Sequence, residues 1–167
     1  MSTYRLTYKI EMLDNERDAE QITRFLLSDL SFDDQRHTPG ELLHFQQHPS
    51  TSLHQVQYHY WYVRNPYGDI IGVLSGFENE QQTGGFVLDY IAVHRSYRKQ
   101  GIATHLILHM FDFVKALRGR YILTYTCDLI PYIPIQQLFE HLGFLRIGFY
   151  PDYYYEGEGR ITYFYKM

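Results

Sequence analysis

The chain has 167 residues, 45% of them hydrophobic, 20% charged and 17% aromatic, with a formal charge of −4. That length suits a single domain, 1–167, with a real core, and the acidic balance argues against a surface built for nucleic-acid phosphates. Cys127 is the only cysteine, which excludes an intrachain disulfide and a cysteine-based metal cluster.

The first twenty residues show no basic region followed by an apolar block, so no signal peptide is expected, and no apolar run approaches a membrane span. A cytoplasmic protein without membrane association is the expectation. The 17 tyrosines and 11 phenylalanines suit a cleft or an interface as well as a core.

In chain order, "YRLTYKIEM" alternates apolar Leu6, Tyr8 and Ile10 with polar neighbours and predicts a first strand. Asp14 or Asn15 then caps a helix whose Ala19, Ile22, Phe25, Leu26 and Leu30 recur at helical spacing. Thr38 as N-cap and Pro39 at the first helical position predict a short second helix. Two β-rich runs, "VQYHYWYVR" and "DIIGVLSGF", flank the turn formers Asn65, Pro66 and Gly68, a hairpin signal. "FVLDYIAV" is the next strand, and Ile102, Leu106, Ile107, Met110, Phe111, Val114 and Leu117 mark a long amphipathic helix. "YILTYTCDL" follows as a strand, then "PIQQLFEHLGF" as a short helix stopped by Gly143. "RIGFY" and "ITYFYKM" close the chain as strands. The alternation describes an α/β fold, a mixed sheet with helices on its faces.

The handover from strand to helix, "YRKQGIAT", is the most informative stretch. A helix start leaves several N–H groups unpaired and carries partial positive charge, a natural anion site. Gly101 exposes its amide with no side chain in the way, Ala103 keeps the next turn clear, and Arg98 and Lys99 add charge at the rim. A local alternative is that the glycine only eases a tight turn.

Arg98-x-x-Gly101-x-Ala103 resembles the Arg/Gln-x-x-Gly-x-Gly/Ala motif of the GNAT acyltransferase superfamily. It sits after "LDYIAV", which is similar to that family's fourth strand, and "QQLFEHLGF" resembles the family's second landmark. The likeness runs from Tyr4 to Met167. It implies a GNAT-like central mixed, mostly antiparallel, twisted sheet of about seven strands with about four helices on its faces. It also implies acetyl-CoA as co-substrate, with no metal. By position, the amides of Gln100, Gly101, Ile102, Ala103 and Thr104 would cradle the pyrophosphate beside Arg98 and Lys99. Ile91, Ala92 and Val93 would hold the pantetheine through backbone hydrogen bonds, where the fourth strand splays from the fifth, and the Val93 amide would polarise the thioester oxygen.

Two positions depart from the family pattern. The usual glutamate base falls at Val87, so Asp89, two residues on and on the same face, is the base candidate; the alternative is that it pairs with a polar neighbour. The tyrosine that often protonates the leaving thiolate falls at Phe139, which would line the cofactor site with no proton to give. Tyr132, or one of Tyr153, Tyr154 and Tyr155, could supply a hydroxyl instead, with Tyr132 and Tyr154 the named candidates; alternatively no acid is needed, because a thiolate is a tolerable leaving group.

"YPDYYYEGEGR" could form an aromatic and acidic wall for a cationic amine from its tyrosines with Glu156 and Glu158, or a hairpin loop packing on the sheet or on a second subunit. Asp33, Asp34 and Glu41 could face the acceptor too. His105 and His109 share a helical face at zinc-pair spacing but lack a third ligand. Cys127, in an apolar strand, reads as core. Together these features predict an acyl-CoA-dependent N-acetyltransferase acting on a primary amine of a small molecule or peptide, with a homodimer plausible from the exposed tyrosines and closing strands. The rival is a GNAT fold that senses acyl-CoA without turnover.

Overall fold

Helix α1 (Glu16–Leu27) begins at the second of its two candidate caps: the Asn15 side chain accepts the Asp18 N–H at 2.9 Å, satisfying one of the donors a helix start leaves free. Its apolar stripe buries Ala19, Ile22, Phe25 and Leu26. Helix α2 (Pro39–Ser52) starts at Thr38, whose hydroxyl accepts the Glu41 N–H at 3.2 Å, and is longer than predicted. These elements come from a computed structural model that describes residues 8–34 and 36–167. The first strand, β1, is Ile10–Met12; the part of its predicted run at Tyr4 and Leu6 lies outside the described residues.

The remaining elements follow the predicted order. The hairpin β2 (Tyr58–Arg64) and β3 (Ile70–Glu78) is followed by β4 (Gly85–Val93), then α3 (Ile102–Ala116) and β5 (Tyr121–Cys127). Helix α4 (Ile133–His141) precedes the final strands β6 (Leu145–Tyr155) and β7 (Glu158–Lys166). The seven strands form one sheet in the order β1-β2-β3-β4-β5-β7-β6, antiparallel except for β4 and β5. The parallel pair is joined through α3, as a parallel crossover requires.

Each face of the sheet has its own core. On one, Leu106, Ile107, Met110 and Val114 of α3 and Phe139 of α4 meet Trp61, Leu74, Phe86 and Leu88. On the other, α1 and Phe45 of α2 cover Tyr60, Tyr62, Val73 and Ala92. Helix α3 lies close on β3 because Gly72 and Gly76 face it: a Cβ at either would stand 2.8 Å from a side-chain carbon of α3, Ile102 Cγ2 or Met110 Cε. That close seat fixes the start of α3 beside the end of β4. Among the described residues, no helix is long and apolar enough to cross a membrane.

The final hairpin departs from expectation. "YPDYYY" is strand, continuous with "RIGFY", rather than loop. Its pairing with β7 is interrupted between Tyr150 and Tyr155, where Asp152 takes a left-handed conformation (φ 54°).

Candidate active site

Strands β4 and β5 pair from Gly85↔Tyr121 only to Leu88↔Thr124, and then part. Thr124 Oγ1 donates to Leu88 O at 3.1 Å, marking the last tie. Beyond it opens a cleft of about 1070 Å³, at the upper end for ligand pockets, which run to ~1,000 Å³. It has room for a large ligand and a second molecule.

Among the described residues, the open edge of β4 beyond Leu88 has donors that no strand pairs. His94 N–H donates to Ile71 O of β3 at 2.7 Å, so strand alternation directs the amides of Val93 and Ile91 to the opposite edge, which β5 has vacated. Both residues line the cleft. Ala92 does not; its side chain packs in the other core, beneath α1 and α2.

A β-bulge sits at the point of divergence. Tyr90 lies opposite Ser75 and Leu88 opposite Gly76, which leaves Asp89 as the extra residue. Such a bulge breaks the pleat and re-aims side chains: Phe86 and Leu88 face the α3 core, yet so do Ile91 and Val93. Asp89 points to the opposite face, where the Tyr58 hydroxyl donates to its Oδ2 at 2.5 Å. Burial raises the Asp89 carboxyl above its ordinary range, opposed by the Tyr58 hydrogen bond and by the positive charge of Arg160.

Behind Asp89 lies a network the sequence did not announce. His44 Nε2 is 3.8 Å from Asp89 Oδ2 and 3.4 Å from the Tyr58 hydroxyl, and the His44 and His48 rings stack at 4.3 Å. His48 Nδ1 meets the Tyr60 hydroxyl at 3.1 Å and its Nε2 meets Gln55 Oε1 at 3.0 Å. Burial lowers the His44 pKa to about 4 and lowers that of His48 too, so both rings are neutral at pH 7. A signal existed: His44 and His48 are four apart on α2, and Tyr58 and Tyr60 share one face of β2. The same spacing at His105 and His109 has other uses, since His105 Nε2 bonds Tyr8 O at 3.1 Å and His109 packs edge-on against Trp61.

At the start of α3, Lys99 (φ 62°) and Gly101 (φ 84°) are both left-handed, a curl that suits an anion-binding concavity of backbone N–H groups. Gly101 is the N-cap, and no side chain caps it. A Cβ there would meet nothing within 4 Å, so the space in front of the turn is open cleft. Lys99, Gly101, Ile102, Ala103 and Thr104 line it; Gln100 instead accepts the Tyr8 hydroxyl at 3.0 Å. Arg98 lines the cleft but is committed to the chain. Its Nε donates to Val93 O at 3.1 Å, its Nη2 to Ser31 O at 3.0 Å and its Nη1 to Asp33. It ties the segment after α1 to the end of β4, and its charge is met by Asp33.

The far wall carries Tyr132, Phe139 and Tyr154. Burial raises both phenols, Tyr154 to about 12, so both remain protonated at neutral pH. Cys127 also lines the cleft, but burial pushes its thiol up, away from the nucleophilic thiolate. The acidic half of the expected wall is otherwise engaged: Glu158 is buried in an ion pair with Arg36, and Glu156 stands outside the cleft lining. A cation, Arg160, takes its place among the tyrosines.

A splayed parallel pair, free amides along one strand and an uncapped helix start together define an acyl-CoA-type transferase cleft. The chain belongs to the acetyltransferase (GNAT) family, whose model matches residues 19–144. A GNAT-family structure from Desulfovibrio desulfuricans superposes with a TM-score of 0.81 at 20% identity, covering 96% of this chain and 99% of that one. An aminoglycoside 6′-N-acetyltransferase solved with coenzyme A gives 0.75 at 16% identity, covering 95% and 96%. The ribosomal-protein-S18-alanine N-acetyltransferase of Escherichia coli gives 0.71 at 15% identity, covering 95% and 94%. No curated protein matches the chain in sequence.

Proposed function

We propose that this protein transfers an acetyl group from acetyl-CoA to a primary amine of a small molecule or peptide, by direct attack with both substrates bound. The observation that carries the reading is the juxtaposition of Asp89 with the open start of α3 in one cleft. The residues present fit the co-substrate: Gly101 leaves open the space a diphosphate needs, and the amides of Ile102, Ala103 and Thr104 with the Lys99 ammonium would hold it. The free amides of Ile91 and Val93 would hold the pantetheine arm and polarise the thioester oxygen. Acetyl-CoA, when bound, supplies the activated acyl group and a thiolate leaving group.

The chain's own residues must then manage protons. A lysine-like amine, pKa ~10.4, needs about 4–5 kcal/mol to be neutral at pH 7, whereas an α-amine near ~8 needs only about 1 kcal/mol. Asp89 is the proton acceptor, directly or through one water, and its raised pKa brings it nearer the working pH, where a base is most effective. Tyr58 holds the carboxylate in place. Tyr132 and Tyr154 keep their O–H donors and would hydrogen-bond the departing sulfur. A phenol near 12 gives up its proton to a thiolate whose conjugate thiol has a pKa of ~8.5 only at a cost of several kcal/mol, so donation of a hydrogen bond is the better role.

The rival, a non-catalytic acyl-CoA sensor, rests on Val87 and Phe139; Asp89 and the two tyrosines in the same cleft weigh against it. A second copy of the chain is the partner that edge strand β6 would accept, because Leu145, Ile147 and Phe149 are exposed along it. The reading is tested by calorimetric titration with acetyl-CoA, alongside release of free thiol against amino acids, polyamines, aminoglycosides and short peptides. Turnover with one acceptor class is expected; binding without turnover would favour the sensor.

A further inference from the structure

Arg160 is the unusual residue of the acceptor side. Its guanidinium lies 3.4 Å from the Tyr125 ring centroid and 4.6 Å from that of Tyr153, a cation held between two aromatic faces. Nη1 donates to the Tyr153 hydroxyl at 2.6 Å. Nε is buried without a hydrogen-bond partner, a rarity that marks an incomplete site. Among the described residues no carboxylate lies within 4 Å of this guanidinium, whereas Arg36 and Arg98 in the same cleft are both paired.

Resting on the acetyltransferase reading, we propose that the acceptor carries a carboxylate beside its amine, and that Arg160 binds that carboxylate while the amine meets Asp89. The acceptor class is then a free amino acid or a close relative rather than a polycation. A planar guanidinium clamped between rings presents its remaining N–H groups in a fixed plane, the arrangement that matches a carboxylate's two oxygens. Tyr125 and Tyr153 fix that plane, and Arg160 and Asp89 line one cleft, so opposite charges on one small molecule would each find a partner. The acidic side chains that would favour a polycation are in part engaged elsewhere, Asp33 by Arg98 and Glu158 by Arg36.

The test compares amino acids with their amides and their decarboxylated amines as acceptors, in the wild type, Arg160→Gln and Arg160→Lys. The wild type should prefer the acid by about 10- to 100-fold in kcat/KM, the range for hydrogen bonds to a charged group. Arg160→Gln should erase that preference through KM, any loss from the changed charge near Asp89 falling equally on acid and amine, and Arg160→Lys should restore part of it. Equal use of acid and amide, or an equal loss for every acceptor in Arg160→Gln, would overturn the proposal and leave Arg160 a structural clamp or a charge serving Asp89. A second readout needs no turnover. The Arg160 Nε–H resonance in nitrogen-15-labelled protein should shift on adding the amino acid but not the amine; no shift would reject the site even if acetyl transfer is observed. A shift in a protein that releases no thiol from acetyl-CoA would retain the carboxylate site and reject the transferase reading.

Discussion

The Tyr58 hydroxyl of β2 donates at 2.5 Å to Oδ2 of Asp89, the extra residue of the β-bulge between β3 and β4. This bond ties Asp89 to the His44, His48 and Tyr60 side chains of α2 and β2. It also favours the ionised form of Asp89, against the burial that disfavours it.

Tyr58→Phe removes a donor that favours the charged carboxylate, so the Asp89 pKa rises further. The acid limb of the kcat–pH profile should move to higher pH, with the plateau at high pH little altered. The ring's stacking on Phe77 (5.4 Å) is kept in the variant, so the fold should stand. An unmoved limb would show that Tyr58 does not set the titration of the base.

Gly101→Ala places a β-carbon on a left-handed residue, at ~1–2 kcal/mol, which in a chain of this size lowers Tm by roughly 2–8 °C. Acetyl-CoA affinity should fall as well, because the new methyl projects into open cleft rather than into the protein. Calorimetry separates the two effects. Unchanged affinity with lowered Tm would make the glycine a structural turn only.

His44 gives stability a pH dependence with a defined sign. Its folded pKa is depressed to about 4 against ~6.5 unfolded, so the unfolded chain binds more protons between those values. Its contribution is fully present above pH 6.5 and is lost as pH falls towards 4. Urea melts across that window should show falling stability, with a shallower slope in His44→Gln. Equal slopes would place the titration elsewhere.

Much of the fold was legible in the sequence because its signals are local. The Asn15 and Thr38 caps, the Asn65–Gly68 turn and the α3 stripe depend on neighbours a few residues away. The turn into α3 was legible for the same reason: Gly101 and the start of the helix are contiguous. What was hidden depends on pairing between distant segments. The bulge at Asp89 exists only relative to Ser75 and Gly76 on β3. Arg98 looks like a free cation until Asp33 is brought beside it. "YPDYYY" looks like a loop because of its proline and aspartate, yet β7 pairs with both its ends, at Tyr150 and Tyr155, and the chain between them bulges at Asp152. Glu158 read as an acidic wall, and Arg36 from before α2 neutralises it.

The most direct test is the pH dependence of acetyl transfer by Asp89→Asn beside the wild type, with saturating acetyl-CoA and the best acceptor. Asparagine keeps an oxygen for the Tyr58 hydroxyl and removes a buried charge, so Tm at pH 7 should be unchanged or higher. The rate should fall by about 10²–10⁴-fold, the usual contribution of a positioned base, and the acid limb should disappear. A variant that turns over at the wild-type rate with the same pH profile would contradict the assignment of Asp89 and the account of the cleft built around it.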